Sequence, residues 1–306
     1  IWLQADELSF SDGDAVSTWS DVSGYGNNAT DSLDAPTYGG SALSSGGAAV
    51  QFDGTDDVLR FPSRNYYENL NGRDLTAFVV TEIEQSIAEG PDGNQGVLSN
   101  YLGETLNPEQ FWAVFAAGTD GGDDDIRAFV RRDDNGEEVD PRGGSLTQGT
   151  TKIVGFQKEG TTVRALEDGA NAASASLSQE GATDNNFRLG MGSHFGRHLR
   201  YDVAEVALYS KAINAAERTI VENYLSTKHG VSITGDKYAY DGSQGNDVAG
   251  IGQASDGSQH TDAKSSALRL RNPQGLSNGD FLLFGHDGAS IGSFTTSEVP
   301  SSLSKR

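Results

Sequence analysis

The chain of 306 residues contains no cysteine. Disulfides, thiolate nucleophiles and cysteine-based zinc sites are thereby excluded, and stability has to come from a large core or from bound metal. Basic residues are scarce, 22 against 44 acidic ones, for a net charge of −22. Nucleic-acid binding leaves a basic stripe as its footprint, so this balance excludes it, and it disfavours docking on anionic membranes. No apolar run approaches the ~20 residues a membrane-spanning helix needs, so no membrane insertion is expected. Catalytic signatures are missing too: there is no His-Glu-x-x-His, Gly-x-Ser-x-Gly or P-loop motif. The five histidines (His194, His198, His229, His260, His286) have no metal-ligand spacing. Nothing singles out the pair of carboxyls a glycosidase needs, so the chain reads as a non-enzyme. It opens on Ile1 and reads as a segment of a longer protein, so the absence of a signal peptide carries no information.

What is present points to β-structure outside the cell. Surplus carboxylate suits a calcium-rich medium or high salt, although a plain solvated acidic surface accounts for most of it. The 39 glycines, with frequent Asn and Asp, mark many tight turns. Strand-like runs recur at 48–52, 58–61, 76–82, 96–100, 111–117, 126–131, 152–157, 161–166, 187–191 and 203–209. Asp53-Gly54, Asp92-Gly93, Asn135-Gly136, Glu159-Gly160 and Asp168-Gly169 punctuate them as turns. This spacing predicts an antiparallel sandwich rather than alternating α/β units.

Helical periodicity enters at 214–229. Asn214 is a good N-cap, Glu217 completes a capping box, and Ile220, Val221, Tyr224 and Leu225 share a face ending at Gly230. The helix is expected to close a first domain, 1–230. Residues 231–306 hold short apolar bursts at 248–251, 268–270 and 281–284 and predict a small β-rich domain, incomplete or split, with too few strands to bury a good core alone.

Three stretches, IWLQADELSFSDGDAVSTWSDVSGYGNNAT (1–30), AVQFDGTDDVLRF (49–61) and FRLGMGSHFGRHLRYDVAEVALYSKAINAAERTIVENYLSTKHG (187–230), resemble the bacterial laminin G/concanavalin A-like family. The resemblance implies an all-β jelly-roll sandwich with one C-terminal helix. The stretch DKYAYDGSQGNDVAGIGQASDGSQHTDAKSSALRLRNP resembles the small β-domain that follows such sandwiches in very large bacterial surface adhesins of the RTX type. It implies placement on a bacterial surface, flanking domains in the same protein, and a ligand-binding tip.

The resemblance also suggests sites. In related sandwiches the loop 21–28 lies against the strand matching 201–206, which implies a structural Ca2+ held by Asp21, the Gly24 and Asn27 region, and Asp202 or Glu205. Alternatively, Asp21 only caps its turn and Glu205 is solvated. Pentraxins, similar in fold, place ligand-bridging calcium at positions matching Asp92, Asn94 and 191–197, but Gly192, Ser193 and His194 stand where they carry acids. Asp92-Gly93 also reads as a plain hairpin turn. The acid-rich loops 120–125 (with Asp123, Asp124 and Asp125) and 133–138 are solvated or ligand-bearing, with Arg127, Arg131 and Arg132 available to neutralise them. Glycan recognition pairs an aromatic platform with hydrogen-bonding side chains. Tyr66, Tyr67, Tyr101 and Trp112 are the aromatic candidates, and Ser193, His194 and Arg197 the polar ones, while Trp2 and Trp19 match core positions.

The leading expectation is a calcium-assisted, lectin-like module that attaches to cell-surface or matrix glycans, or to peptides. A spacer or peptide-docking domain, or a polysaccharide-active enzyme on a jelly-roll scaffold, are the alternatives.

Overall fold

A computed structural model describes residues 1–31, 34–68, 70, 72–84, 95–100, 111–117, 125–132, 137–180, 189–194, 197–198, 200–265 and 268–288. They fall into two compact units, 1–213 with 229–235, and 214–228 with 236–306.

The first unit is an all-β antiparallel sandwich. One sheet runs Ala170–Ser176, Thr162–Glu167, Lys152–Glu159, Leu75–Ile83, Arg200–Tyr209, Ala49–Asp53 and Thr37–Gly39, with Trp2–Gln4 also paired to Arg200–Tyr209. The other runs Glu138–Val139, Asp125–Arg131, Phe111–Ala117, Gln95–Ser99, Gly190–Met191, Leu59–Arg60, Ala29–Asp31 and Thr18–Trp19. Alternation supplies the core: Leu75, Ala77, Val79 and Ile83 of one strand meet Trp112, Val114, Ile126, Ala128 and Val130 of the other sheet in one buried cluster. Tyr201 links the layers. Its ring stacks on Phe52 at 4.8 Å, its hydroxyl donates to the Val97 carbonyl at 3.0 Å, and the Gly192 N–H donates to it at 2.8 Å. Gly192 has φ +96°, and a Cβ there would stand 2.0 Å from the Asp57 carbonyl oxygen, so only glycine fits.

Within Arg200–Tyr209 the register shifts between Val203 and Glu205. Tyr201 and Val203 face the core before this bulge, Val206 and Leu208 after it. The extra residue therefore turns both Asp202 and Glu205 to the outer face of the sheet, although three positions separate them.

In the second unit the helix Ala215–His229 starts at the expected capping box. The Glu217 N–H donates to Asn214 Oδ1 at 2.9 Å, and the Asn214 N–H to Glu217 Oε2 at 3.0 Å. Gly230 follows with φ +66°. Within the second unit, the helix's Ala216 N–H donates to Ser258 Oγ, and the Lys237 N–H to its Asn223 Oδ1. Its buried face differs from the expected one. Ile220 and Leu225 are buried as expected, but Glu222 and Asn223 join them while Val221 and Tyr224 are half-exposed. Asn223 is satisfied there by the Lys237 N–H and the Thr219 carbonyl. Among the described residues the unit also holds the sheet Gln259–His260, Asn246–Gln253, Phe281–His286 and the antiparallel pair Asp262–Ser265, Leu268–Arg271.

Candidate ligand-binding cleft

The short strand Leu59–Arg60 lies between Ala29–Asp31 and Gly190–Met191, with Arg60 opposite both Thr30 and Gly190. Leu59 points into the core, so pleating turns Arg60 outward beside Thr30. Gly26, Asn28, Thr30, Asp31, Arg60, Phe61 and Pro62 enclose a cleft of about 230 Å³ on this surface. The Arg60 Nε is buried and has no hydrogen-bond partner among the described residues. The side chains that reach the cleft carry donors from Arg60, Asn28 and Thr30 and one carboxylate, Asp31.

The loop 21–28 forms one wall, and Asp21 organises it. Its Oδ1 accepts the N–H groups of Trp2 and Ser23 at 2.9 and 3.0 Å, and its Oδ2 accepts the N–H and the side-chain amide of Asn27 at 2.9 and 3.1 Å. Partial burial opposes ionisation, but these donors outweigh it and hold the carboxyl at about 2. Asn28 Oδ1 accepts the Asp21 N–H, and Gly24 and Gly26 take positive φ to close the turn. Tyr25, between those glycines, is 81 % exposed. Tyr66 stands nearby. Burial pushes its phenol up, Arg64 and the Asn27 side chain work against that, and Asp21 and Tyr25 add to it. Arg60 lines the cleft, while Tyr25 and Arg64 lie close in the chain to its lining residues Gly26 and Pro62.

The residues singled out from sequence distribute differently. Asp21 caps its turn with both oxygens, which is the alternative reading of that residue. Asp202 and Glu205 stand on the outer face of the sheet, and among the described residues the three carboxylates that lie within 4.8 Å of one another are those of Asp53, Asp56 and Asp57. Glu205 is buried, its Oε1 accepting the Trp2 indole N–H at 2.6 Å and its Oε2 2.9 Å from His229 Nε2. Asp202 lies opposite Glu82 and 3.3 Å from Gln51 Nε2. Trp112 is a correction. It is 1 % exposed, its ring 5.0 Å from that of Phe156 and its indole N–H on the Tyr67 carbonyl at 2.6 Å, so it packs the core and cannot serve as a platform. Tyr67 is buried as well, its hydroxyl bonded to the Pro62 carbonyl. Trp19 is buried as expected, whereas Trp2 is partly exposed on the outer face with its N–H on Glu205. Asp92, Asn94, Tyr101, Asp123 and Asp124 lie outside the described residues. Asp125 begins the strand Asp125–Arg131. Ser193–His194 pairs with Arg197–His198 through the backbone; the side chains of Ser193, His194 and Arg197 lie outside what is described. Arg131 and Arg132 pair with Glu138 and Glu137 of the second acid-rich loop, whereas Arg127 pairs with Asp140, which lies in neither.

The Asp53–Asp56–Asp57 turn carries no metal-binding pattern that its sequence alone signals. Asp57 Oδ2 accepts the Asp53 N–H at 2.8 Å. Burial pushes the Asp57 carboxyl up to about 6; the Asp53 N–H opposes this, and the charges of Asp53, Asp56 and Asp34 add to it. Asp34 is brought in by a parallel bridge to Asp57 from a distant part of the chain, which no local pattern signals. Arg60 was also missed. Its signal was the alternation Leu59-Arg60-Phe61, an arginine between two core residues.

No protein-family model matches the sequence, and no curated protein sequence matches it. Among solved structures, it is similar to domain 4 of AbnA, a GH43 extracellular arabinanase from Geobacillus stearothermophilus, in complex with arabinotriose. The identity is 13 %, covering 68 % of this chain and 98 % of that one, with a TM-score of 0.48. Trypanosoma rangeli sialidase is similar at 14 % identity over 74 % of this chain and 32 % of that one, TM-score 0.48. The Ruminococcus gnavus IT-sialidase CBM40 bound to alpha2,3 sialyllactose is similar at 10 % identity over 49 % of this chain and 81 % of that one, TM-score 0.39.

Proposed function

We propose that this chain is an extracellular carbohydrate-binding module of a bacterial surface adhesin, and that it binds glycan without turning it over. One observation carries the reading: Tyr25 projects into solvent beside a cleft lined by Asn28, Thr30, Asp31 and Arg60. A sugar ring needs an apolar face to stack on and directional partners for its hydroxyls, and this surface offers both. Hydrolysis by a carboxyl pair needs two carboxyls about 5 Å apart, or somewhat more for inversion, whereas Asp31 is the one acid among the lining residues.

Tyr25→Ala is expected to weaken glycan binding about tenfold, by loss of ring contact. Its melting temperature should stay where it is, because so exposed a side chain supports little of the fold. Glycan-array binding followed by calorimetry on the best hit reads both effects. Unchanged affinity in the alanine variant would overturn the assignment of the site.

Calcium assistance belongs, in this reading, to the Asp53–Asp56–Asp57 turn, which leads directly into the strand bearing Arg60. Three carboxylates within 4.8 Å of one another suit a hard cation, and a cation there would offset the repulsion acting on Asp57. Calcium at 100 times its Kd would stabilise the sandwich by about 2.7 kcal/mol. A melting temperature that rises in millimolar calcium, falls back with chelator, and does neither in Asp57→Asn is the expected pattern. Identical melting in calcium and chelator would remove the metal from the account.

A further inference from the structure

Resting on that reading, we propose that the cleft selects glycans bearing an anionic group, a carboxylate or a sulfate, and that Arg60 is the counter-charge that holds it. The chain has twice as many acidic as basic residues, 44 against 22, so an arginine near the surface has carboxylates in abundance. Its peers use them: Arg127 pairs with Asp140, Arg132 with Glu137, Arg164 with Glu159. Arg60 has no such partner among the described residues, and its Nε is buried with no hydrogen bond at all. A buried guanidinium N–H left unmade is costly unless something completes it. The cleft is where that completion takes place.

The neighbouring groups match an anion. Asn28 spends its Oδ1 on the Asp21 N–H, which leaves its amide N–H groups to donate. Thr30 lies directly opposite Arg60 and adds a hydroxyl. Arg64, four residues on, donates to the Ser63 carbonyl and pairs with no carboxylate among the described residues, so a second positive charge flanks the same turn. The nearest strong acid in the loop, Asp21, already accepts four hydrogen bonds and is turned inward to them. Asp31 is the exception in the lining, and it suits a sugar hydroxyl. A guanidinium fork fits the two oxygens of a carboxylate or sulfate side by side, a geometry a lysine does not reproduce.

The test compares three probes on the whole chain at about 0.15 M salt, where the overall negative charge is screened beyond ~8 Å. Polygalacturonate oligosaccharides carry carboxylates, carrageenan oligosaccharides carry sulfates, and laminarin oligosaccharides are neutral. One or both charged probes should bind at least about tenfold tighter than the neutral one. Arg60→Gln should erase that preference, with a loss of about ten- to hundredfold on the charged probe and little change on the neutral one, while Arg60→Lys keeps the charge and recovers part. Melting curves of both variants verify the fold, and the lysine variant alone suffices should the glutamine variant not fold. Equal binding of neutral and charged probes overturns the anion selectivity but leaves the glycan reading standing. A charged-probe preference that survives Arg60→Gln overturns the role of Arg60. Binding to no glycan of any kind overturns both proposals.

Discussion

Replacing Trp112 with alanine is expected to cost the sandwich about 3–5 kcal/mol, the range for deleting a fully buried aromatic side chain. The indole sits between the sheets, 5.0 Å from Phe156 of the opposite layer. It also ties the second sheet to the short helix Asn65–Glu68, which follows the cleft residues Phe61 and Pro62. Its N–H donates to the Tyr67 carbonyl at 2.6 Å, its backbone N–H donates to Asn100 Oδ1 at 2.7 Å, and the Asn100 amide donates to the Glu68 carbonyl at 2.9 Å. Truncation would leave a cavity and strand the Tyr67 carbonyl. Trp112→Phe separates the two losses: the ring contact survives and the hydrogen bond does not, so about 1–3 kcal/mol should go. Because Tyr66 adjoins Tyr67 and its ring stands 4.7 Å from it, both variants should also loosen the cleft. Denaturant unfolding measures the first effect. A loss below about 1 kcal/mol for alanine would show that Trp112 is not the core element described.

The sequence made the sandwich legible because its strands are short, apolar and separated by Gly turns, and it made the helix start legible because Asn214 and Glu217 form their box locally. Trp112 misled for a physical reason. Both faces of Phe111-Trp112-Ala113-Val114-Phe115 are apolar, so alternation cannot say which one points inward. The placement of Asp202 and Glu205 was illegible for another reason. Their common face depends on a bulge at Ala204, and bulges leave no periodic mark. Asp21 was recognisable as a loop organiser, but its partners Trp2 and Asn27 arrive through the fold. The cleft itself was the least legible part. It is assembled from an N-terminal loop, two strands some thirty residues apart and the turn after them, and its central arginine is conspicuous only once the carboxylate partners of Arg127, Arg132 and Arg164 are known.

The sandwich is expected to be more stable near pH 5 than near pH 8, and Asp202→Asn is expected to abolish most of that difference. Asp202 is 2 % exposed and lies directly across the strand pair from Glu82. The hydroxyl and amide donors of this ridge go to Glu82, whose Oε2 accepts Ser44 N–H, Ser44 Oγ–H and Thr151 Oγ1–H; Asp202 has Gln51 at 3.3 Å. Burial first, then the charges of Glu84 and Glu82, push the Asp202 carboxyl up to about 7 against the Gln51 bond and Arg200. In the unfolded chain an aspartate titrates near 3.9. Between those values the folded form holds a proton that the unfolded form has released, so stability falls as pH rises from about 4 to about 7. Asp57, pushed up to about 6, contributes with the same sign over a narrower window. Asp21, held at about 2, acts oppositely, but only below pH ~4, where its bonds are lost on protonation. An asparagine at 202 keeps the shape and still accepts from Gln51, without a charge to bury. At pH 8 it should stabilise the sandwich by roughly 2 kcal/mol or more, about 4–8 °C in a unit of this size, and at pH 5 by about a third as much. Thermal melts of both proteins across pH 5–8 decide the matter. Parallel curves would mean that Asp202 is ionised in the folded sandwich throughout.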